Sequence, residues 1–211
     1  MTTFISRRDL LKTTALLAGA RALQRSADAL ALQTAPETLT AREMDILDAV
    51  AARLIPNDAN GPGAVEAGAT RYIDRALAGA LSASRSAYAS GLAALDRYAQ
   101  SSRGRLFTDL SPTDQDSVLI DVETGAATGF AGSSAQFFAM VLGHTHQGMF
   151  GDPYYGGNKD FAGWDLVRYP GVRTMVSAAD QKSLEANQLK PNHRSAYDSD
   201  AFTRADPRHG D

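Results

Sequence analysis

Apolar residues recur at helical spacing along most of the chain after residue 40. Ile46, Val50 and Leu54 follow Thr40 and Glu43, a pair with the spacing of a capping box. Because no alternating strand pattern of useful length appears, the chain is predicted to be mainly α, an irregular helical bundle. The stripes and start signals predict helices over about residues 41–55, 64–81, 84–100, 112–123, 134–147 and 177–187.

The segment from residue 148 to residue 171 differs from the helical part, and we call it the ring loop. It is rich in glycine, and six aromatic residues lie between Gln147 and Pro170. Nothing in its first half, residues 148–164, indicates a helix. Loops are usually polar, so these rings are expected to pack on the bundle or to contact another protein, where Tyr and Trp are favoured.

After the ring loop the chain becomes polar. Ser177 is the expected cap of a short helix, and residues 190–211, which we call the C-terminal arm, are expected to be extended. We expect this arm to wrap a partner and to become ordered on binding. The fold prediction is therefore a helical bundle with a long aromatic and glycine-rich loop and an extended C-terminal arm.

Composition narrows the possible functions. Hydrophobic residues make up 44% of the 211 residues and charged residues 21%, so the chain can bury a core. The net charge of -3 argues against nucleic acid as a partner. Cysteine is absent, which excludes disulfides, thiolate metal sites and thioether-attached haem. We expect no cofactor to be bound by this chain.

The N-terminus carries an export pattern. Arg7 and Arg8 precede a weakly apolar stretch, as in a twin-arginine signal, and small residues around Ala29 offer cleavage sites. We assign residues 1–31 to this signal, residues 32–171 to the helical domain and residues 172–211 to the short helix and arm. The twin-arginine route carries proteins that are already folded. A chain without a visible cofactor motif has no obvious need for that route. A cofactor-loaded companion is therefore expected to travel with the chain.

Two segments contain residue types that bind metals. His144 and His146 stand two apart in a helical context, so they lie on different faces and packing is the expected role. Asp58 and Asn60 faintly resemble a calcium loop, but turn-forming side chains explain that segment equally well. We expect no metal site and no catalytic residue.

Two roles are possible for the glycine pair of the ring loop. Gly156, Gly157 and Asn158 could cradle a phosphate, but no strand precedes them and no helix is expected after them. Backbone freedom and close approach to a partner chain are the expected uses, with Asn158 bonding its own backbone and locking the loop. Trp164 is expected to anchor the loop on its own bundle or to contact a partner.

The most specific motif is the segment Gly151-Asp152-Pro153-Tyr154-Tyr155-Gly156-Gly157-Asn158, followed by Gly163-Trp164 and Tyr169-Pro170-Gly171. With it the chain resembles the gluconate 2-dehydrogenase subunit 3 family, over roughly residues 39–171. Further similar segments are residues 39–58, 61–64, 66–68, 72–74, 91–92, 95–96, 107, 110–111 and 137–138.

The resemblance implies a non-catalytic small subunit of a membrane-associated, GMC-type dehydrogenase for sugars or sugar acids. FAD would lie on the large subunit and haem c on a multihaem cytochrome subunit, where one is present. The small subunit would assist folding and export of the large one through the twin-arginine translocase, placing the complex in the periplasm at the inner membrane.

We expect the ring loop to form the interface with the large subunit. The alternative is an independent exported enzyme or carbohydrate-binding protein that uses the same rings. The expected interface residues are Asp152, Pro153, Tyr154, Tyr155, Gly156, Gly157, Asn158, Phe161, Trp164 and Tyr169.

Overall fold

The computed structural model describes residues 35–199, and it confirms the mainly α class. Within this range the chain forms seven α-helices joined by turns and short 3-10 segments, without a β-strand. Arg7, Arg8 and the assigned signal segment lie outside the described residues. The helices are α1 Ala41–Leu54, α2 Ala69–Ala76, α3 Arg85–Arg103, α4 Pro112–Glu123, α5 Ser134–Phe150, α6 Ala162–Leu166 and α7 Ala178–Glu185.

The start of α1 follows the predicted capping box. The Thr40 side chain accepts a hydrogen bond from the Glu43 amide, and the Glu43 carboxylate accepts one from the Thr40 amide at 2.7 Å. Arg85 of α3 forms an ion pair with Glu43 at 2.8 Å. Burial raises the pKa of Glu43, but the hydrogen bonds from Thr40 and Arg85 outweigh it and hold the pKa below its usual value.

The main hydrophobic core lies between α1, α2, α3, α4 and α5. Gly91 of α3 faces the Phe137 ring of α5 so closely that a Cβ at position 91 would overlap the ring. The predicted apolar stripes thus meet in one cluster. Its largest fully buried side chains include Leu47, Ile73, Leu77, Tyr88, Leu92, Leu95, Phe107, Val118, Val122 and Val141.

A second, smaller cluster joins α2 and the turn before it to α5. Met149 is buried there against alanines 51, 64, 67 and 69. Gly148 of α5 lies against the backbone of Ala69, and a Cβ at Gly148 would come within 2.7 Å of the Ala69 Cα. Small side chains at these positions therefore let two helices approach at backbone distance.

Two sequence predictions of helix extent are wrong. Helix α2 spans only Ala69–Ala76, because Gly68 takes the left-handed conformation (φ 77°) and residues 64–68 form turns. Conversely, residues 148–150 continue α5, and the ring loop contains 3-10 turns at Pro153–Tyr155 and Lys159–Phe161 and the helix α6. Local pattern missed these short turns because tertiary contacts help to place them, as where the Lys159 amide donates to the Ala67 carbonyl at 2.8 Å.

The segment that leads into α1 is tied to α2 by a buried carboxylate. Asp74 accepts hydrogen bonds from the backbone amides of Glu37, Thr38 and Leu39 at 2.6, 2.9 and 2.8 Å. Asp74 is 1% exposed, so these amides supply the partners that a buried charge requires. Residues 36–199 belong to one compact unit.

Candidate functional site

Asn158 fixes the ring loop to the end of α5. Its amide donates to the Gly148 carbonyl at 2.7 Å, and its Nδ2 donates to the Gly151 carbonyl at 2.9 Å. Its Oδ1 accepts from the Gly163 amide at 2.8 Å. The side chain is fully buried, so it replaces water for backbone groups on both sides of the loop. Asn158 therefore locks the loop, but its side chain bonds the backbone of Gly151 and Gly163 and not, as had been expected, its own.

The backbone around Asn158 adopts conformations that side chains usually avoid. Asn158, Asp160 and Phe161 have φ of 44°, 54° and 63°, and Arg168 has φ of 54°. Each left-handed residue other than glycine costs ~1 kcal/mol, less for Asn and Asp. Several left-handed residues so close together persist only where surrounding contacts stabilise them. The ring loop therefore has a defined conformation that its tertiary contacts impose.

The glycine pair packs inside the chain. Gly156 has φ of 92° and ends the first 3-10 turn. A Cβ at Gly157 would overlap the Gly148 carbonyl, and one at Gly163 would overlap the Met149 carbonyl. The close approach expected toward a partner chain is therefore made to α5 of the same chain. Gly157 is also buried, so this turn does not fit a phosphate group.

Trp164 anchors the ring loop on the bundle. Its indole Nε1 donates to the Phe150 carbonyl at 2.8 Å, and only 6% of the residue is exposed. Tyr169 packs edge-on against the indole at 4.7 Å between ring centroids. Of the two interpretations of Trp164, the structure supports the internal anchor.

Asp152 joins the ring loop to the C-terminal arm. Its carboxylate caps the first 3-10 turn by accepting from the Tyr154 amide at 2.9 Å. It also accepts from the Ser195 hydroxyl at 2.6 Å and from the Ala196 amide at 2.8 Å. Sequence reasoning missed this link because no pattern relates residues 43 and 44 positions apart.

The expected interface residues divide into buried and exposed groups. Gly157, Asn158 and Trp164 are buried, whereas Tyr155 and Tyr169 remain exposed. Asp152, Pro153, Tyr154, Gly156 and Phe161 are half-buried. All ten residues thus lie in the ring loop, which packs on the end of α5. Contact with a partner remains a prediction for those that reach the surface.

Large apolar side chains are exposed mostly beyond the bundle. Leu106 and Ile120 are exposed on the helical part, and seven others lie between residues 155 and 184. Four of these seven side chains belong to the ring loop. The seven are Tyr155, Leu166, Val167, Tyr169, Met175, Val176 and Leu184.

The two histidines of α5 serve different contacts. His144 stacks on Tyr88, with its Nδ1 3.1 Å from the Tyr88 hydroxyl, and burial lowers the pKa of His144. Burial also raises the pKa of the Tyr88 hydroxyl. His146 lies on the exposed side against Phe150. Packing is the observed role of both imidazoles. Among residues 35–199, no three His, Asp or Glu side chains form a group suited to a metal ion.

Asp58 and Asn60 form a turn. The Asp58 carboxylate accepts from the Asn60 amide at 2.7 Å and from the Asn60 Nδ2 at 3.1 Å. These bonds lower the pKa of Asp58. Gly61 closes the turn with two backbone hydrogen bonds to Asp58. The side chains that resembled calcium ligands thus satisfy their own backbone, as turn-forming residues do.

A groove of about 550 Å³ lies between α1 and α3. Ile46, Leu92 and Leu106 line it, and the ion pair between Arg42 and Asp96, at 2.6 Å, stands beside them. The surface of the groove is mostly apolar, and the charged side chains of Arg42, Glu43, Asp96 and Arg97 border it. None of the described helices is both long and apolar enough to cross a membrane.

Comparison with protein families gives a match that spans the bundle and the ring loop. The model described as gluconate 2-dehydrogenase subunit 3 matches residues 41–171, more than half of the chain. Neither the comparison with curated proteins nor the comparison with solved structures gives a match. The matched range begins with the first residue of α1 and ends at the last residue of the ring loop.

Proposed function

The chain belongs to the gluconate 2-dehydrogenase subunit 3 family, and we propose that it is the non-catalytic small subunit of an FAD-dependent, GMC-type dehydrogenase for a sugar or sugar acid. The observation that carries the proposal is the family match over residues 41–171. FAD would belong to the large subunit, where it accepts electrons from an alcohol or hemiacetal carbon. Haem c would belong to a cytochrome subunit where one takes part.

The ring loop supports a role in binding another chain. Its position is fixed by the buried Asn158 and Trp164, so a partner would meet a preformed surface. Preformed surfaces lose less conformational entropy on association than mobile ones do. The exposed side chains of Tyr155, Tyr169 and Val167 supply apolar area beside it.

The N-terminus supports a role in export. Arg7 and Arg8 fit a twin-arginine signal, whose pathway accepts folded, cofactor-loaded proteins. A flavoprotein bound to this chain would be exported with it. The complex would then lie in the periplasm, associated with the inner membrane through its partner subunits.

The export role is tested by replacing the two arginines. In cells that express both chains, Arg7→Lys with Arg8→Lys should leave the flavoprotein in the cytoplasm, as measured by fractionation and flavin content. Arg21→Lys with Arg25→Lys is the matched control, because it makes the same chemical change outside the arginine pair. An exported flavoprotein in the first variant would refute the carrier role.

A further inference from the structure

The C-terminal arm lies on the ring loop along residues 192–199. Near Asn192 the arm runs beside the end of the ring loop. The Asn192 backbone amide donates to the Pro170 carbonyl at 3.2 Å, and the Asn192 Nδ2 donates to the Val172 carbonyl at 2.8 Å. Farther along, Ser195 and Ala196 both donate to Asp152. We call residues 192–199 the cover segment. Its contacts extend over both ends of the ring loop.

The cover segment occupies the faces of two rings. His193 stacks on Phe161 at 5.0 Å between ring centroids and 11° between planes. Tyr197 stacks on Tyr154 at 3.8 Å and 20°, and its hydroxyl lies 2.6 Å from the Tyr155 hydroxyl. The segment therefore places a planar side chain on each of two rings of the ring loop, Tyr154 and Phe161.

The two sides of the cover segment differ in chemistry. Outward it presents the exposed residues Arg194 and Asp198. Beneath it lie the rings of Tyr154 and Phe161 and the carboxylate of Asp152. A chain that replaced the segment would need an apolar or planar surface for the rings and hydrogen-bond donors for the carboxylate.

We propose that the cover segment is a removable occupant of the surface that binds the large subunit. This inference rests on the proposed function. In the free subunit the segment covers Tyr154, Phe161 and Asp152, and in the complex the large subunit takes its place on them. The stacked rings and donors of the segment show the chemistry that the surface accepts. When only a fraction of the molecules have this surface open, the apparent Kd for the partner is the intrinsic Kd divided by that fraction.

The test compares two truncations of the full-length chain. The first ends after Lys190 and lacks the cover segment, and the control ends after Ser199 and keeps it. The probe is the FAD-containing chain recovered with the tagged full-length subunit from cells that express both. The Kd of each purified variant for that chain is measured by calorimetry. We expect the first truncation to bind about tenfold more tightly than the control, the factor for a surface open about a tenth of the time.

Point variants keep the test valid if the shorter chain folds poorly. Ser195→Ala with Tyr197→Ala removes the hydroxyl bond to Asp152 and the stack on Tyr154 in the complete chain. It should also bind more tightly, by a smaller factor. Ser199→Ala is the control, because Ser199 lies at the end of the segment and makes neither of these two contacts.

The outcomes separate the two proposals. Equal Kd values for the cover-less and control chains, or weaker binding without the cover, would overturn the inference and leave the proposed function standing. If no FAD-containing chain is recovered with the full-length subunit or binds any variant, the proposed function and the inference both fail.

Discussion

At the scale of single residues, Asn158 ties together three separate points of the backbone around the ring loop. Three backbone groups, on Gly148, Gly151 and Gly163, depend on it. Sequence alone indicated its role, since asparagine beside glycine favours turns with left-handed backbone. It could not indicate which carbonyls and amides Asn158 would bond, because those belong to a tertiary arrangement.

Asn158→Ala should destabilise the protein by about 2–4 kcal/mol, because buried backbone groups lose their partners and alanine must adopt a positive φ. The measurement is urea unfolding followed by tryptophan fluorescence. Asn187→Ala is the matched control: Asn187 also has a positive φ, of 56°, but is exposed. Similar losses in both variants would mean that backbone strain alone is measured.

Asp48 on α1 is a half-buried carboxyl with an incomplete set of partners. Burial raises its pKa and the nearby charge of Asp45 adds to this, against a hydrogen bond with Thr70 and the charge of Arg71. Its Oδ1 has no hydrogen-bond partner in the described part of the chain. A raised folded-state pKa contributes stability below the pKa of the unfolded chain, and that stability is lost as pH rises.

Asp48→Asn should therefore increase the free energy of unfolding at pH 7, on the order of 0.5 kcal/mol after allowance for partial exposure. The gain should shrink toward pH 3, where the wild-type carboxyl is protonated. Chemical unfolding at both pH values measures it. A gain that is the same at pH 3 and pH 7 would contradict the electrostatic cause.

At the scale of elements, the approach of α2 to α5 depends on Gly148. Its missing side chain lets Ala69 come to backbone distance, and its carbonyl accepts the hydrogen bond from Asn158. The sequence predicted the existence of these helices from caps and apolar stripes, as at Ser111, where Pro112 and Asp114 follow. The sequence prediction made α2 too long. Gly68 takes a left-handed conformation just before the helix, and the spacing of apolar residues does not reveal that conformation.

Gly148→Ala should cost about 2–3 kcal/mol, because the new methyl group forces the two helices apart. Gly143→Ala on the same helix is the control. A Cβ there meets nothing within 4 Å, so the better helix propensity of alanine should raise stability by about 0.5–1 kcal/mol. Thermal unfolding measured by circular dichroism distinguishes the two. A stable Gly148→Ala variant would show that the helices can separate without loss.

At the scale of the whole molecule, the bundle holds the ring loop, and the C-terminal arm lies on it. The class of fold and the special character of residues 148–171 could be predicted from apolar spacing and from the concentration of rings. The position of the arm could not, because Asp152 and Ser195 are far apart in sequence and join only through tertiary contacts. The arm was expected to become ordered on binding a partner. Its described part already packs on the ring loop of its own chain.

The most direct test of the central claim is size-exclusion chromatography of the tagged chain purified from cells that also express its dehydrogenase. The account predicts a stable complex in which this chain elutes with a second, larger chain, and flavin absorbance follows that complex. Substrate oxidation should require the second chain. Elution of this chain alone, with substrate oxidation in that fraction, would contradict the account and favour an independent enzyme.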